Sequence, residues 1–250
     1  MKILRGITAL LGAALVLHAQ SAEDWVSRGL AAQAVYDSRA ALSCFLRADQ
    51  ARPNNPKILQ AIARQYSDLT LDTDDPKERL RLMEEALSYA QRALALQPKD
   101  PVSVLSLAVC YGKLGLESDV ETRIADARLV KTYAEQALAL DPNYDYAHYV
   151  LGEWNTEVAL LGRTKLFVIA LIYGRLPQAS VQEGVRHLER AVELAPFCAS
   201  HWTALGKAYL ANGEVTKAKQ ALMKALSLPQ TQKYDRVAKR IARETLDSIS

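Results

Sequence analysis

One short phrase recurs along this chain and limits what it can fold into. Ala93-Leu-Ala-Leu-Gln-Pro98 returns as Ala137-Leu-Ala-Leu-Asp-Pro142 and as Ala191-Val-Glu-Leu-Ala-Pro196. Weaker copies run from Ala48 to Pro53 and from Ala225 to Pro229. Each copy reads as a helix end followed by a stop, because proline lacks a backbone donor and biases its predecessor away from helix. A unit repeated in this way cannot bury its apolar face alone and must stack on its neighbours.

The residues between the stops carry a more specific pattern. In the last copy, Trp202, Leu205, Gly206 and Tyr209 form a first helix, and Ala218, Leu222 and Ala225 a second. The first copy agrees at Trp25, Gly29, Ala41, Phe45, Ala48 and Pro53, and Leu151-Gly152 supplies the same register in the fourth. Small residues belong where two helices cross most closely, and large ones three or four positions away fill the groove around the crossing. This set of small and large positions is the tetratricopeptide (TPR) signature. It predicts an all-α, right-handed superhelical solenoid of about five helix pairs plus a C-terminal capping helix. Sparse glycine and an aromatic content of 7% agree with helices packed through small residues.

The expected organisation is a signal peptide over 1–22 and a solenoid over 23–249. Its units are about 23–53, 54–98, 99–142, 143–196 and 197–229, with the capping helix at 232–249. The stops at 53, 98, 142 and 196 lie 45, 44 and 54 residues apart, longer than the about 34 of a standard TPR unit. The extra length is expected between the two helices of each middle unit: around Leu71 to Pro76, over Gly115 to Ile124, and over Leu161 to Ser180. The last contains the apolar run Leu166 to Tyr173. Eight residues are too few to span a bilayer. The run is expected to be buried, with an exposed patch seeking a partner or membrane surface as the alternative.

Lys2 and Arg5, the apolar run Ile7 to Leu17 and the small residues Ala19, Ser21 and Ala22 form a secretory leader pattern. The alternative is an uncleaved anchor. The chain is therefore expected to be exported, and periplasmic in a Gram-negative bacterium. Loss of Lys2 and Arg5 would take two from the formal +3, and so near-neutral a chain has no general attraction for nucleic acid. Cys44, Cys110 and Cys198 are odd in number and contain no CxxC, so free thiols are expected. The helix from about Gln232 to Ile249 has an apolar face at Val237, Ile241 and Leu246 and a basic one at Lys233, Arg236, Lys239, Arg240 and Arg243. A polar cap is the expected role; a basic contact surface is the alternative.

The longer middle repeats carry a family resemblance. Ile62 to Leu69, Ala86 to Pro98, His148-Tyr-Val-Leu-Gly-Glu-Trp154 and Tyr173-Gly-Arg-Leu-Pro177 with Ala179 and Ser180 together resemble the regulator of microtubule dynamics family. The resemblance covers roughly 57–229 and includes the long fourth unit. It implies a TPR-like scaffold; eukaryotic members are associated with microtubules, some at mitochondria or endoplasmic reticulum. It offers no catalytic residue to transfer. Because a leader pattern precedes the first repeat here, the fold and adaptor character are what the resemblance is expected to carry over, and the microtubule role is left open.

No signature of catalysis stands beside this. The histidines His148, His187 and His201 are isolated in sequence, with no HExxH, and no P-loop, G-x-S-x-G or G-x-G-x-x-G occurs. No metal and no cofactor are expected. Function is expected instead on the concave face, lined by the first helix of each repeat. Tyr146, Tyr149, Glu153 and Glu157 share one stripe of the fourth unit, and Thr203 and Lys207 take corresponding places in the fifth. Tyrosine gives amphipathic contact at small entropic cost, so this stripe is the candidate site for a partner peptide or helix; packing against a neighbouring unit is the alternative. The function expected is a non-catalytic scaffold, with a membrane-surface protein using the C-terminal helix or the 166–173 run as runner-up.

Overall fold

The structure, a computed structural model, describes residues 22–249. The expected leader lies outside the described residues except for Ala22. Within the described residues every regular element is helical, and none is long and apolar enough to cross a membrane.

The alanine that opens each repeated phrase decides how helices meet. Ala48, Ala93, Ala137, Ala191 and Ala225 are all fully buried. Four of them also end their helices: the N–H groups of Arg52, Gln97, Asp141 and Ala195 donate to the carbonyls of Ala48, Ala93, Ala137 and Ala191 at 2.9–3.0 Å. The proline next in sequence has no N–H to extend the ladder. Helix starts are equally explicit. Asn55, Asp75 and Asp100 accept backbone N–H groups of the following turn, each followed directly by a proline at the first helical position.

The chain forms two compact units, one ending at Pro98 and one beginning at Lys99. The first contains α1 (22–34), α2 (Ser38–Ala51), α3 (Pro56–Leu69), a 3-10 turn (Thr70–Asp72) and α4 (Pro76–Leu96). Helices α1 and α2 cross at Gly29, where an added Cβ would come within 2.6 Å of the Phe45 ring. Phe45, Ile58, Ile62 and Leu82 share one core, and Trp25 stacks under the guanidinium groups of Arg28 and Arg47. Gln65, fully buried on α3, donates to Gln33 of α1 at 2.8 Å.

The second unit contains α5 (Pro101–Glu117), α6 (Val120–Leu140), α7 (Asp145–Leu160), α8 (Gly162–Tyr173), α9 (Val181–Leu194), α10 (Ala199–Ala211), α11 (Val215–Ser227) and α12 (Asp235–Ser248). Helix α5 pairs with α6, α7 with α9 and α10 with α11, while α12 covers α10 and α11. Gly152 on α7 receives Leu188 of α9, and Gly206 on α10 receives Leu222 of α11. A Cβ at either position would lie within 2.6 Å of the leucine. Trp202 ties its helix to the preceding pair by donating to the Pro196 carbonyl at 2.9 Å. Tyr209 donates to Glu189 at 2.7 Å.

Two expectations about the insertions need correcting. The extra length of the third repeat does not lie between its two helices over Gly115 to Ile124: α5 runs to Glu117 and α6 begins at Val120. The Asp119 carboxylate caps α6, and the Arg123 guanidinium donates to the Gly115 and Ser118 carbonyls at the end of α5. Added length thus becomes added helical turns. The second correction concerns Leu166 to Tyr173. These residues form most of α8, yet no residue of that helix is buried. Leu166 reaches the cluster of Val130, Trp154 and Val158, while among the described residues nothing buries the opposite arc.

The glycine crossings give a direct test. Gly152→Val should destabilise the chain by about 1–3 kcal/mol through overpacking. At Gly112, also helical, an added Cβ would meet only ordinary contact at 3.6 Å, so Gly112→Ala should stabilise by about 0.4–1 kcal/mol. Urea unfolding of both variants checks the contrast. Equal effects would show that the crossing is misplaced.

Candidate functional site

Helices α7 and α10, with the turn before α12, bring together most of the residues singled out from the sequence. The stripe on α7 follows from helical spacing, with Tyr149, Glu153 and Glu157 each four apart. Lys207 on α10 faces it, its Nζ 3.1 Å from Glu157 Oε1. Burial pushes the Glu153 carboxyl above its ordinary range, against the opposing charge of Lys207. Burial also raises the neighbouring Tyr149 phenol, with the Glu153 charge adding to it. Burial works against the charge of Lys207, but Glu153 and Glu157 outweigh it and its pKa is raised. Glu157 and Lys207 remain the accessible end of this strip, with side chains 60% and 38% exposed.

The other end is closed by His201, which is fully buried. Its ring stacks on Tyr149 and meets Tyr146 edge-on, each with centroids 4.9 Å apart. Its Nε2–H donates to Asp145 Oδ2 at 3.0 Å, while Nδ1 is buried and makes no hydrogen bond of ordinary geometry among the described residues. Burial alone would lower the imidazole pKa. Asp145 and Cys198 outweigh it and lift the value to about 9. Burial likewise pushes the Cys198 thiol up, but the His201 charge and Ser200 bring it down overall. Cys198 is the N-cap of α10, where the helix dipole favours negative charge.

The turn before α12 seals this cluster. Asp235, fully buried, accepts the backbone N–H groups of Thr231 and Gln232 at 2.8 and 3.1 Å. Gln232 is thereby aimed inward: its amide nitrogen reaches Cys198 Sγ at 3.3 Å and Ser200 Oγ at 3.2 Å, and its oxygen accepts from the Tyr146 hydroxyl. Thr203 lies beneath α12 as well. Its hydroxyl donates to the Ala199 carbonyl at 2.9 Å, with the Ala238 carbonyl at 3.3 Å, so it holds helices together and presents nothing to a groove. Trp154, next to the stripe, is buried and donates to the Ala127 carbonyl at 2.7 Å.

Sequence reading missed the pairings that separate chain segments create. Asp145, Cys198, His201 and Gln232 had no shared signal, being up to 87 positions apart. His148 and His187, isolated in sequence, meet across α7 and α9 with Nδ1 atoms 3.0 Å apart. His148 Nε2–H donates to the Pro142 carbonyl at 3.1 Å, so its Nδ1 accepts from His187 Nδ1–H when both rings are neutral. Burial, and then the charge of His148, lower the His187 pKa. Among the described residues no group of three His, Cys, Asp or Glu side chains is placed to hold a metal ion.

Buried His201 and half-buried His187 should respond to pH in opposite senses. His201 contributes stability below its unfolded value near 6.5 that is lost as pH rises through about 9. His187 contributes stability above 6.5 that is lost as pH falls through its lowered folded value. Imidazole NMR titration should place His201 near 9 and His187 below 6.5. Asp145→Asn should lower only the first.

Comparison with known proteins places this geometry in context. The family model described as Regulator of microtubule dynamics protein 1-3 matches residues 27–250. Regulator of microtubule dynamics protein 3 of Xenopus laevis is 27% identical over 198 residues, covering 79% of this chain and 43% of that protein. Regulator of microtubule dynamics protein 1 of Mus musculus is 25% identical over 195 residues, covering 77% of this chain and 64% of that protein. The chain thus spans 43% and 64% of the lengths of these two relatives. A solved structure of a thermophilic TPR protein from Thermus thermophilus superposes with a TM-score of 0.63 at 21% identity, over 89% of this chain and 99% of that one. That likeness is one of fold.

Proposed function

Given that this chain belongs to the regulator of microtubule dynamics family, we propose that it is a non-catalytic scaffold that holds a partner peptide or helix on the α7–α10 strip. One observation carries the reading. Tyr149, Glu153, Glu157 and Lys207 form a continuous polar strip on the first helices of two adjacent TPR hairpins, and Glu157 and Lys207 stay accessible at its end. The reading is supported by the general habit of such repeats, whose first helices line the face offered to partners.

The Cys198, His201 and Asp145 side chains have the residue types of a nucleophilic site. Their setting favours a structural role: Cys198 is 8% exposed, and its sulfur is already engaged by Ser200 and Gln232. In the scaffold reading they lock α7, α10 and the turn before α12 into one rigid surface. A rigid surface loses less freedom on binding. The exported location is part of the same proposal, supported by the charged start and apolar run of the leader. Fusion of the leader to a reporter active only after export tests that part.

Tyr146 and Tyr149 pack on His201, so their replacement would report on folding as much as on binding. Glu157 and Lys207 are the better probes. Affinity capture from a cell-envelope extract should retain a partner that is lost with Glu157→Lys or with Lys207→Glu. It should be regained when both charges are reversed together, because the ion pair is then restored. A partner held equally by both single variants would place binding elsewhere. Capture of nothing by a folded chain would remove the adaptor reading.

A further inference from the structure

Helix α8 is set apart at both ends by glycines in the left-handed region, Gly162 at φ +75° and Gly174 at φ +79°. Twelve residues long, it contains no buried side chain. Phe167, Val168, Leu171 and Ile172 are 70%, 47%, 76% and 61% exposed. Their spacing places all four on one arc, with Thr164 between them. Leu166 and Ile169 lie on the opposite arc, where Leu166 packs against Val130, Trp154 and Val158. The helix is also strapped down at its C-terminus. Arg128 of α6 donates to the Tyr173 and Gly174 carbonyls at 2.6 and 2.8 Å, and Lys131 to the Gln178 carbonyl at 3.0 Å. A bare apolar ridge is thus presented on an anchored support, and such contiguous exposure marks an interaction surface.

Charge identifies the occupant. No Asp or Glu occurs anywhere in 158–182, whereas Arg163, Lys165 and Arg175 are all exposed. On a helical projection Arg163 and Lys165 flank the apolar arc on its two sides. A second copy seated on this ridge would bring like charges together. A peptide helix would need a groove, and α8 is a ridge. Apolar side chains between basic flanks are the signature of a helix lying in the plane of a membrane interface. At about 18 Å, α8 is too short to cross one. We propose that α8 is a membrane-docking helix that seats Phe167, Val168, Leu171 and Ile172 in the interfacial layer of an anionic bilayer. This surface is separate from the α7–α10 strip and does not depend on it.

Sedimentation of the whole chain with vesicles tests the proposal. Vesicles of phosphatidylcholine plus phosphatidylglycerol should bind it at least about tenfold more tightly than phosphatidylcholine alone, with the difference reduced by added salt. Leu171→Glu combined with Phe167→Glu should weaken binding by at least about tenfold with an unchanged melting temperature, since both side chains face water. Arg163→Glu with Lys165→Glu should remove the preference for anionic lipid. Phe167→Trp supplies a local readout: anionic vesicles should shift its emission to the blue, read as the difference from the parent with its three tryptophans. Equal binding by the parent and the Phe167/Leu171 variant, or no shift at position 167, would overturn the proposal. So would a parent dimer that Leu171→Glu dissociates, with a second copy then the occupant.

Discussion

Close approach of paired helices at glycine is the contact on which the rest depends. Phe45 lies over Gly29, Leu188 over Gly152 and Leu222 over Gly206. In each pair the missing side chain lets a large apolar one reach the backbone of the facing helix. Dispersion and burial then act over many atom pairs at once. The buried alanines at 48, 93, 137, 191 and 225 permit close approach toward the end of each second helix, including in the α3–α4 and α5–α6 pairs, which have no such glycine. Within each compact unit, a pair that buries one face within itself leaves its other face to a neighbouring pair.

That packing positions the polar cluster at the α7–α10 contact. His201 is on the helix that carries Trp202 and Gly206, so the crossing that seats Leu222 also carries the imidazole toward the α7 tyrosines. Once there it is out of water, and an isolated cation would be costly. Asp145 and the neighbouring thiol offset this, while Asp235 fixes the turn that brings Gln232 to the same spot. The cluster is satisfied almost entirely from within. What it leaves for a partner is its accessible edge, where the carboxylates of α7 meet the Lys207 ammonium.

Helix α8 shows the opposite outcome of the same constraints. It is inserted between the two helices of the fourth pair, so α7 and α9 complete their crossing without it. Its apolar residues run around most of the helix, but the unit offers it only the small cluster around Trp154. One arc finds cover and the other does not. The basic residues beside the bare arc, and the absence of carboxylates through 158–182, make that arc compatible with a negatively charged apolar interface.

Much of the fold could be read directly. Proline stops, glycine and alanine at fixed offsets from large residues, and Asp or Asn ahead of Pro act through local backbone geometry, and local geometry is written in adjacent residues. The fate of the inserts was not legible: extra length over Gly115 to Ile124 was expected between two helices, and Asp119 and Arg123 instead cap helices that take up nearly all of it. Burial of Leu166 to Tyr173 was misjudged for a related reason: an apolar run says that cover is wanted, and only the packed unit says whether any is left. The stripe on α7 followed from its period, whereas Thr203 shared that period and lies under α12. The meeting of Asp145, Cys198, His201 and Gln232, and of His148 with His187, belongs wholly to tertiary structure. Sequence by itself determined where the repeat helices stop and which small and large residues pair them. Only the packed chain decided which polar groups share a low-dielectric space and which apolar arc stays bare, since both depend on neighbours that the linear order keeps apart.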